Sequence, residues 1–264
     1  MIIETKHHIQ ILEPLNPIKT LVFINGFGTE QDIWSEVIKP FKENYKIILF
    51  ENIGSSKSDL NYFSPNKYDS LNAYSKDLNI ISKKLNLENS ILVGHSVGGM
   101  IGLLSTIQNP NYYSKLVMIG SSPRYLNDSD YYGGFEKKEL ENLFESMRAN
   151  YFAWASGFAQ ITMNTPENPK LSEYFAASLK SIQADVAISV AKTIFYSDHR
   201  NDLAKVKIPT LILKTREDIA VPPQVSDYMQ SKITGSRKIE VNAKGHFPHL
   251  SSPIEVIHAI ESFL

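Results

Sequence analysis

The stretch Ile91-Leu92-Val93-Gly94-His95-Ser96-Val97-Gly98-Gly99-Met100 decides the fold of this chain. It predicts a short apolar strand, a sharp turn and the beginning of a helix. Residues 94–98 match Gly-x-Ser-x-Gly, a turn too tight for bulky side chains beside the serine. The turn lifts the Ser96 hydroxyl above the sheet edge, and the helix that begins at Val97 directs free N–H groups there. We therefore predict that Ser96 is a nucleophile and that the Val97 amide stabilises an oxyanion.

The bulk composition limits the classes of protein to which this chain belongs. Its 264 residues include 42% hydrophobic residues, enough for a large core, and its net charge of −1 favours neither nucleic acid nor an anionic membrane as a partner. The absence of cysteine excludes disulfides, thiolate metal sites and cysteine nucleophiles. We see no signal peptide and no apolar run of the ~20 residues that span a bilayer. We expect a cytoplasmic monomer that needs no metal or cofactor.

Apolar runs and helical patterns alternate along most of the chain, which is typical of a mostly parallel sheet with helices on both faces. We predict eight strands: Ile2–Thr5, His8–Leu12, Thr20–Ile24, Tyr45–Phe50, the run that begins at Ile91, Lys115–Ile119, Ile208–Lys214 and Arg237–Val241. The first two are expected to form a hairpin at a sheet edge. Helices are predicted near Gln31–Lys39, Leu71–Leu85, Val97–Gln108, Ser226–Lys232 and Pro253–Leu264.

Residues 124–199 interrupt this alternation, because no convincing strand occurs there. Four helices are predicted, near Glu136–Tyr151, Phe152–Met163, Lys170–Ser181 and Asp185–Tyr196. We interpret the segment as a helical lid inserted into a core formed by residues 1–123 and 200–264. Aromatic residues are dense in the segment, and most of them are expected to pack within its own core. The aromatic residues of the lid that face the sheet edge are expected to line a narrow apolar pocket.

Candidate partners for Ser96 follow two other predicted strands. A serine hydroxyl needs a positioned base, and His246, after the last strand and a glycine, is our candidate, with His249 as a rival. The base needs an acid to hold its tautomer. Asp218 follows the penultimate strand at the same sheet edge, with Glu217 as a rival that is expected to face solvent. The order serine, aspartate, histidine along the chain is that of a Ser-His-Asp triad on this type of sheet.

With these features in place, the chain resembles the RsbQ-type bacterial stress-regulator hydrolases and their plant relatives, the strigolactone and karrikin receptors. The resemblance covers nearly the whole chain, and the segment around Tyr125–Glu136 is its most specific part. It rests on Asn25–Gly28, Val93–Gly98, Ser122–Asp128, Tyr132–Glu136, Ser197–Arg200 and Gly245-His246. Two features depart from it: Glu51 and Ser56 replace the first and last residues of an Asp-x-x-Gly-x-Gly loop, and Arg124 resembles the plant branch.

The resemblance implies an α/β-hydrolase fold and assigns roles to individual residues. Ser96, Asp218 and His246 correspond to the catalytic triad. The Phe27 amide, in the glycine turn after Ile24, joins Val97 as an oxyanion donor. Four aromatic residues match positions that line the family's pocket: Phe135, Trp154, Phe158 and Phe195.

Three functions fit this sequence. The first is a slow serine hydrolase of small hydrophobic esters or lactones that works as a sensor; in the bacterial branch the resemblance implies a PAS-domain phosphatase (RsbP-like) that controls a general-stress sigma factor as its partner. The second is a stand-alone metabolic carboxylesterase or lactonase. The third is a binding-only ligand receptor with an idle triad. Haloalkane dehalogenation is disfavoured, because it needs an aspartate at position 96.

Overall fold

One mostly parallel sheet forms the centre of the computed structural model, which describes residues 2–264. Within these residues it has seven strands: β1 (Gln10–Leu12), β2 (Thr20–Ile24), β3 (Lys46–Phe50), β4 (Ser90–His95), β5 (Tyr113–Ile119), β6 (Thr210–Glu217) and β7 (Arg237–Lys244). Their spatial order is β1-β3-β2-β4-β5-β6-β7, and β1 pairs antiparallel with β3 while the other neighbours are parallel. The alternating pattern of the sequence therefore predicted the fold class correctly.

Helices cover both faces of the sheet. They are α1 (Ile2–Lys6), α2 (Leu71–Lys84), α3 (Val97–Gln108), α4 (Lys137–Ala149), α5 (Tyr151–Met163), α6 (Pro169–Lys180), α7 (Ala184–Phe195), α8 (Pro223–Lys232), α9 (Pro248–Ser251) and α10 (Pro253–Glu261). The helix predicted near Gln31–Lys39 is instead a short 3-10 turn at Gln31–Trp34, followed by irregular turns. Across residues 2–264, every helix is too short or too polar to cross a membrane.

The central strands are buried on both faces, which explains why they are continuous apolar runs. Side chains alternate along a strand, so β2 directs Leu21 and Phe23 to one face and Val22 and Ile24 to the other, all of them fully buried. The first pair packs with Trp34 and the C-terminal helix α10, and the second pair packs with α2 and α3. Two apolar cores thus hold the sheet edge at which β2, β4, β5 and β6 end.

The predicted first strand, Ile2–Thr5, is wrong, because these residues begin the helix α1. The sheet accordingly has seven strands among the described residues instead of eight. The predicted edge hairpin is absent, and the edge strand β1 pairs only with β3. A long-range ion pair accounts for the difference: Lys6 Nζ lies 2.7 Å from Asp77 Oδ1 of α2, and both residues are buried. Asp77 Oδ2 also accepts a hydrogen bond from the Tyr68 hydroxyl at 2.7 Å. These contacts anchor α1 against α2.

The segment between β5 and β6 contains α4, α5, α6 and α7, each within two residues of its predicted bounds at either end. We call residues 124–199 of this segment the helical insertion. Charged side chains connect its two ends: Arg124 lies 2.9 Å from Asp198, and Arg200 contacts both Asp198 and Asp128, at 2.7 and 2.9 Å. The insertion therefore leaves the sheet and returns to it at one place.

We predict that Asp77→Ala lowers the free energy of unfolding by about 3 kcal/mol, because it leaves the Lys6 ammonium buried without a counter-charge. Urea unfolding followed by tryptophan fluorescence measures this loss. Asp69→Ala, at an exposed aspartate near α2, is the control and is expected to change little. A loss below about 1 kcal/mol in Asp77→Ala would contradict the proposed anchor.

Candidate active site

Ser96 lies at the turn between β4 and α3 in a strained conformation. Its backbone has φ = 53° and ψ = −123°, and its side chain is almost fully buried. A Cβ on Gly94 would overlap the backbone of Gly98 and Gly99, and a Cβ on Gly98 would overlap the end of β2. Only glycine fits at either position, so the Gly-x-Ser-x-Gly pattern is a packing requirement of this turn.

The structure brings the three predicted triad residues together. The Ser96 hydroxyl lies 2.9 Å from Nε2 of His246, and Nδ1 of His246 lies 2.7 Å from Oδ2 of Asp218. Asp218 directly follows β6 and His246 follows β7 by two residues, so the carboxyl ends of parallel strands place all three at one sheet edge. Both the histidine and the aspartate side chains are buried, with 8% and 5% of their surface exposed.

The surroundings of Asp218 fix its orientation. Its Oδ1 accepts hydrogen bonds from the amides of Ala220 and Val221, at 2.8 and 3.1 Å, which leaves Oδ2 for the imidazole. His246 Nδ1–H therefore donates to the carboxylate, and unprotonated Nε2 accepts the proton of the Ser96 hydroxyl. The rival acid, Glu217, is exposed and pairs with Lys244 at 3.1 Å.

The rival base, His249, is buried below the site. Its ring stacks on Trp34 and contacts the ring of His95, with centroid distances of 4.7 and 4.3 Å. Neither of its ring nitrogens has a hydrogen-bond partner in the described part of the chain, and burial lowers its pKa to about 3. Burial also holds the pKa of His95 well below its ordinary value, and Nε2–H of His95 donates to the His246 carbonyl at 2.8 Å. These neutral rings support His246 from beneath.

The helical insertion contacts the loop of the candidate base. The His246 amide donates a hydrogen bond to the carbonyl of Thr162, in the last turn of α5, at 2.7 Å. Gly245 has φ = +76°, and a Cβ there would overlap the Met163 carbonyl. The glycine before His246 is therefore needed for this close approach between the loop after β7 and α5.

The two predicted oxyanion donors lie on adjacent segments. The Val97 amide is at the first position of α3, where no intrahelical acceptor exists. The Phe27 amide belongs to the turn after β2, which passes directly over the serine. A Cβ on Gly26 would collide with the His95 ring and lie 3.4 Å from Ser96 Cβ. Among residues 2–264, neither amide donates a hydrogen bond to another group of the protein.

Glu51 organises the turn that carries Phe27. This fully buried carboxylate accepts hydrogen bonds from the Asn25 side chain at 3.2 Å, the Gln31 amide at 2.9 Å and the Ser55 hydroxyl at 3.1 Å. It thereby connects the turn after β2 with the loop after β3. Burial raises the pKa of Glu51 to about 7. Glu51 occupies the position at which the sequence departs from the Asp-x-x-Gly-x-Gly pattern.

A narrow aromatic cavity with a volume of about 30 Å³ opens above Ser96, and we call it the catalytic cavity. Of the four predicted pocket residues, Phe158 and Phe195 line it. Phe135 and Trp154 lie one layer further back, where Phe135 contacts Phe195 and Trp154 stacks on Phe158. Further lining residues that the sequence analysis did not name as pocket residues are Tyr125, Phe175, Ile194, Ala220 and Phe247.

Tyr125 is the clearest of the missed residues. Its hydroxyl lies 3.4 Å from the Ser96 hydroxyl, and its ring contacts Phe195. The sequence carried a signal for it, because Tyr125 lies shortly after the carboxyl end of β5, the neighbour of the serine strand. Phe247 carried a similar signal, because it directly follows the candidate base His246 after β7.

We predict that Glu51→Gln changes the dependence of stability on pH. Since folding raises the pKa of Glu51 from 4.5 to about 7, the folded protein holds its proton more tightly than the unfolded chain. The wild type should therefore lose up to about 3 kcal/mol of unfolding free energy as the pH rises from below 4.5 to above 7. The variant should lack this decline.

Urea unfolding at a series of pH values measures the contribution of Glu51. Glu43→Gln, at an exposed glutamate, is the matched control and should keep the wild-type profile. Parallel curves for the wild type and Glu51→Gln would contradict the role of the buried carboxyl.

Comparisons with known proteins agree with this geometry. Residues 19–253 match the model of the alpha/beta hydrolase fold family. Karrikin insensitive 2 receptor CA of Petunia hybrida is 39% identical over 257 residues, which cover 97% of this chain and 94% of that protein. Strigolactone esterase D14 of Arabidopsis thaliana is 38% identical over 239 residues, which cover 90% of this chain and 89% of that protein.

Solved structures give the same assignment. A hydrolase from Oleispira antarctica superposes with a TM-score of 0.94 at 31% identity, covering 99% of this chain and 95% of that chain. The seven-stranded sheet within residues 2–264, the strained serine at the end of β4 and these matches lead to one conclusion. The chain belongs to the α/β-hydrolase family.

Proposed function

We propose that this protein is a serine hydrolase that cleaves small hydrophobic esters or lactones with Ser96, His246 and Asp218. One observation carries the proposal: an unbroken line of hydrogen bonds runs from Asp218 through His246 to the Ser96 hydroxyl, and this hydroxyl opens on an apolar cavity. In this arrangement the serine is hydrogen-bonded to a histidine, and a carboxylate orients that histidine. Such an arrangement activates the hydroxyl for attack.

The geometry supports the following acylation step. The Ser96 hydroxyl attacks the carbonyl carbon while Nε2 of His246 takes its proton. Asp218 stabilises the imidazolium that forms, through the hydrogen bond to Nδ1. The amides of Phe27 and Val97 donate to the oxyanion, and each such donor contributes roughly 3 kcal/mol in related sites. His246 then returns the proton to the leaving alcohol oxygen.

Deacylation uses the same groups in reverse. A water molecule in the catalytic cavity loses a proton to Nε2 of His246 and attacks the acyl carbon. The oxyanion again lies against the Phe27 and Val97 amides. When the tetrahedral intermediate collapses, His246 returns the proton to Ser96 and the acid is released. No other reactant is needed.

The lining of the catalytic cavity supports a substrate that is small and mostly apolar. Phenylalanine side chains from α5, α6 and α7 cover the serine, and their volume leaves room only for a compact molecule. The helical insertion, residues 124–199, thus serves as a lid over the core formed by residues 1–123 and 200–264. Access to Ser96 requires displacement of these helices or entry between them.

We further propose that the protein works as a low-turnover sensor. Relatives at 39% and 38% identity are named as a receptor and as an esterase, which favours a site that combines ligand binding with hydrolysis. The resemblance to RsbQ-type regulators favours a PAS-domain phosphatase as the partner and control of a general-stress sigma factor as the outcome. A stand-alone carboxylesterase is the second candidate, because the complete set of hydrogen bonds from Asp218 through His246 to Ser96 is also what a rapidly turning-over esterase needs.

We predict that Ser96→Ala lowers the turnover of p-nitrophenyl acetate and butyrate at least about 1,000-fold, because no other group supplies the nucleophile. Intact mass at early times should show an acyl adduct on the wild type that is absent from the variant. Ser231→Ala, at an exposed serine of α8, is the control and should behave as the wild type. Equal rates in Ser96→Ala and the wild type would overturn the proposal.

We predict that variants at exposed apolar residues of the insertion weaken binding of a PAS-domain phosphatase from the same organism. Phe152 and Ile161 of α5 are 62% and 57% exposed, so Phe152→Ser with Ile161→Ser removes apolar surface without disturbing the core. Ile254→Ser, 65% exposed on α10, is the control and should keep binding. Fast ester turnover together with no phosphatase captured by the wild type would favour the stand-alone esterase.

A further inference from the structure

The Phe27 amide can stabilise an oxyanion only if its N–H points towards the oxygen that forms at Ser96. This N–H belongs to the peptide group that joins Gly26 to Phe27. Residue 26 is a glycine because a Cβ there would collide with the His95 ring. A glycine restricts its own backbone angles very little, so this peptide group can rotate unless another contact holds it. The direction of the N–H therefore depends on what holds the Gly26 carbonyl.

Thr29 holds this carbonyl. Its hydroxyl donates a hydrogen bond to the Gly26 carbonyl at 3.1 Å, and the residue is only 3% exposed. Burial keeps water from competing for the bond and strengthens it. In a planar trans peptide group the carbonyl and the N–H point in opposite directions. By fixing the carbonyl of Gly26, the Thr29 hydroxyl therefore also fixes the direction of the Phe27 N–H.

The catalytic cavity lies on the other side of this turn from the threonine. Phe27 lines the cavity together with Ser96, whereas Thr29 is absent from the lining. The turn lies close to the serine, since a Cβ on Gly26 would be 3.4 Å from Ser96 Cβ. Among residues 2–264 the Phe27 amide has no acceptor in the protein. These observations agree with a carbonyl that points away from the serine and an N–H that is left for the oxyanion.

Side chains from two other segments hold the neighbouring carbonyls of the turn. Asn52 donates to the Asn25 carbonyl at 3.0 Å, and Ser178 of α6 donates to the Gly28 carbonyl at 2.7 Å. Neither carbonyl belongs to the peptide group that contains the Phe27 N–H, so these bonds fix the position of the turn as a whole. The hydrogen bond of the threonine hydroxyl differs from them, because it acts on the peptide group of the donor itself.

We propose that Thr29 is a positioning residue for ester hydrolysis, whose hydroxyl holds the Gly26 carbonyl and thereby directs the Phe27 N–H at the oxyanion. This inference rests on the proposed hydrolase function. A hydrogen bond to the carbonyl also polarises the peptide group, which strengthens its N–H as a donor. Both acylation and deacylation form an oxyanion, and neither ground state contains one. Thr29 therefore acts on kcat more than on KM.

Thr29→Val tests the proposal, because valine keeps the shape of threonine and replaces its hydroxyl with a methyl group. We expect kcat for p-nitrophenyl acetate to fall about 10-fold, less than the loss that follows removal of a whole oxyanion donor, with KM little changed. Thr29→Ser retains a hydroxyl and should recover most of kcat. An unchanged kcat in Thr29→Val, or a Thr29→Ser variant as slow as Thr29→Val, would overturn the proposal.

Thr106→Val is the matched control. Thr106 of α3 is 4% exposed, and its hydroxyl donates to the Leu103 carbonyl at 2.7 Å, across the same spacing of three residues. The variant thus removes the same kind of buried hydrogen bond near the end of α3 that is remote from Ser96, and it should keep the wild-type kcat. Urea unfolding compares the stability of the two valine variants. A fall in kcat of the same size in Thr106→Val would show that lost stability explains the effect, which contradicts positioning.

A ketone inhibitor measures the oxyanion site without turnover. In the adduct with 1,1,1-trifluoro-2-butanone, the Ser96 oxygen bonds to the ketone carbon, its proton passes to Nε2 of His246, and the ketone oxygen becomes an oxyanion. Fluorine NMR gives the dissociation constant of this adduct. We expect Thr29→Val to weaken it about 10-fold, in line with the fall in kcat, and Thr106→Val to leave it unchanged. Equal affinities of the wild type and Thr29→Val would contradict the positioning role.

Failure of the positioning role is distinguishable from failure of the hydrolase function. If the wild type turns over p-nitrophenyl acetate and Ser96→Ala does not, the triad is active, and an unchanged kcat in Thr29→Val contradicts the role of Thr29 alone. If the ketone adduct forms without ester turnover, its dissociation constant still tests Thr29. If the wild type shows neither turnover nor an adduct, the hydrolase function is wrong and the positioning role is wrong with it.

Discussion

The close approach of β2, β4 and α3 around Ser96 is the constraint on which the site depends. Glycine at 94 and 98 lets the backbones meet, and the sheet and helix together hold the serine at a positive φ that an isolated chain would avoid. Two apolar cores, one on each face of the sheet, supply the packing that maintains this strain. The same contact fixes the Val97 amide at a helix end and places the Gly26 turn over the serine. One crowded junction thus determines nucleophile and oxyanion site together.

Buried polar groups support the loops around this junction. Glu51 is buried behind the turn of Phe27, and His95 and His249 are buried beneath His246. Burial favours the neutral forms of all three, so these groups act as hydrogen-bonding and packing elements at low electrostatic cost. Two backbone amides and the imidazole satisfy the oxygens of Asp218. The carboxylate that orients His246 therefore has no oxygen without a hydrogen-bond partner.

Most of the fold could be predicted from local patterns. Central strands such as Thr20–Ile24 are continuous apolar runs, and the insertion helices follow their periodicity closely. The order and location of Ser96, Asp218 and His246 followed from the rule that parallel strands end at one edge. The helix at Ile2–Lys6 was beyond such reasoning, because the Lys6–Asp77 pair joins residues 71 positions apart. The pocket lining was equally hard to predict. Trp154 stacks on the far side of Phe158, and the spacing of residues in the sequence does not determine this ring contact.

The hydrogen bond from the His246 amide to the Thr162 carbonyl makes separation of the insertion from the core measurable by hydrogen exchange. That amide hydrogen lies between the core and the last turn of α5, so it exchanges with deuterium only when the helix and the loop separate. The protection of this amide against exchange therefore reports the free energy of separating the insertion from the candidate base. Because this bond joins α5 to the loop of His246, each separation of the two also removes a support from His246. Opening of the cavity and loss of catalytic alignment would therefore occur on the same timescale.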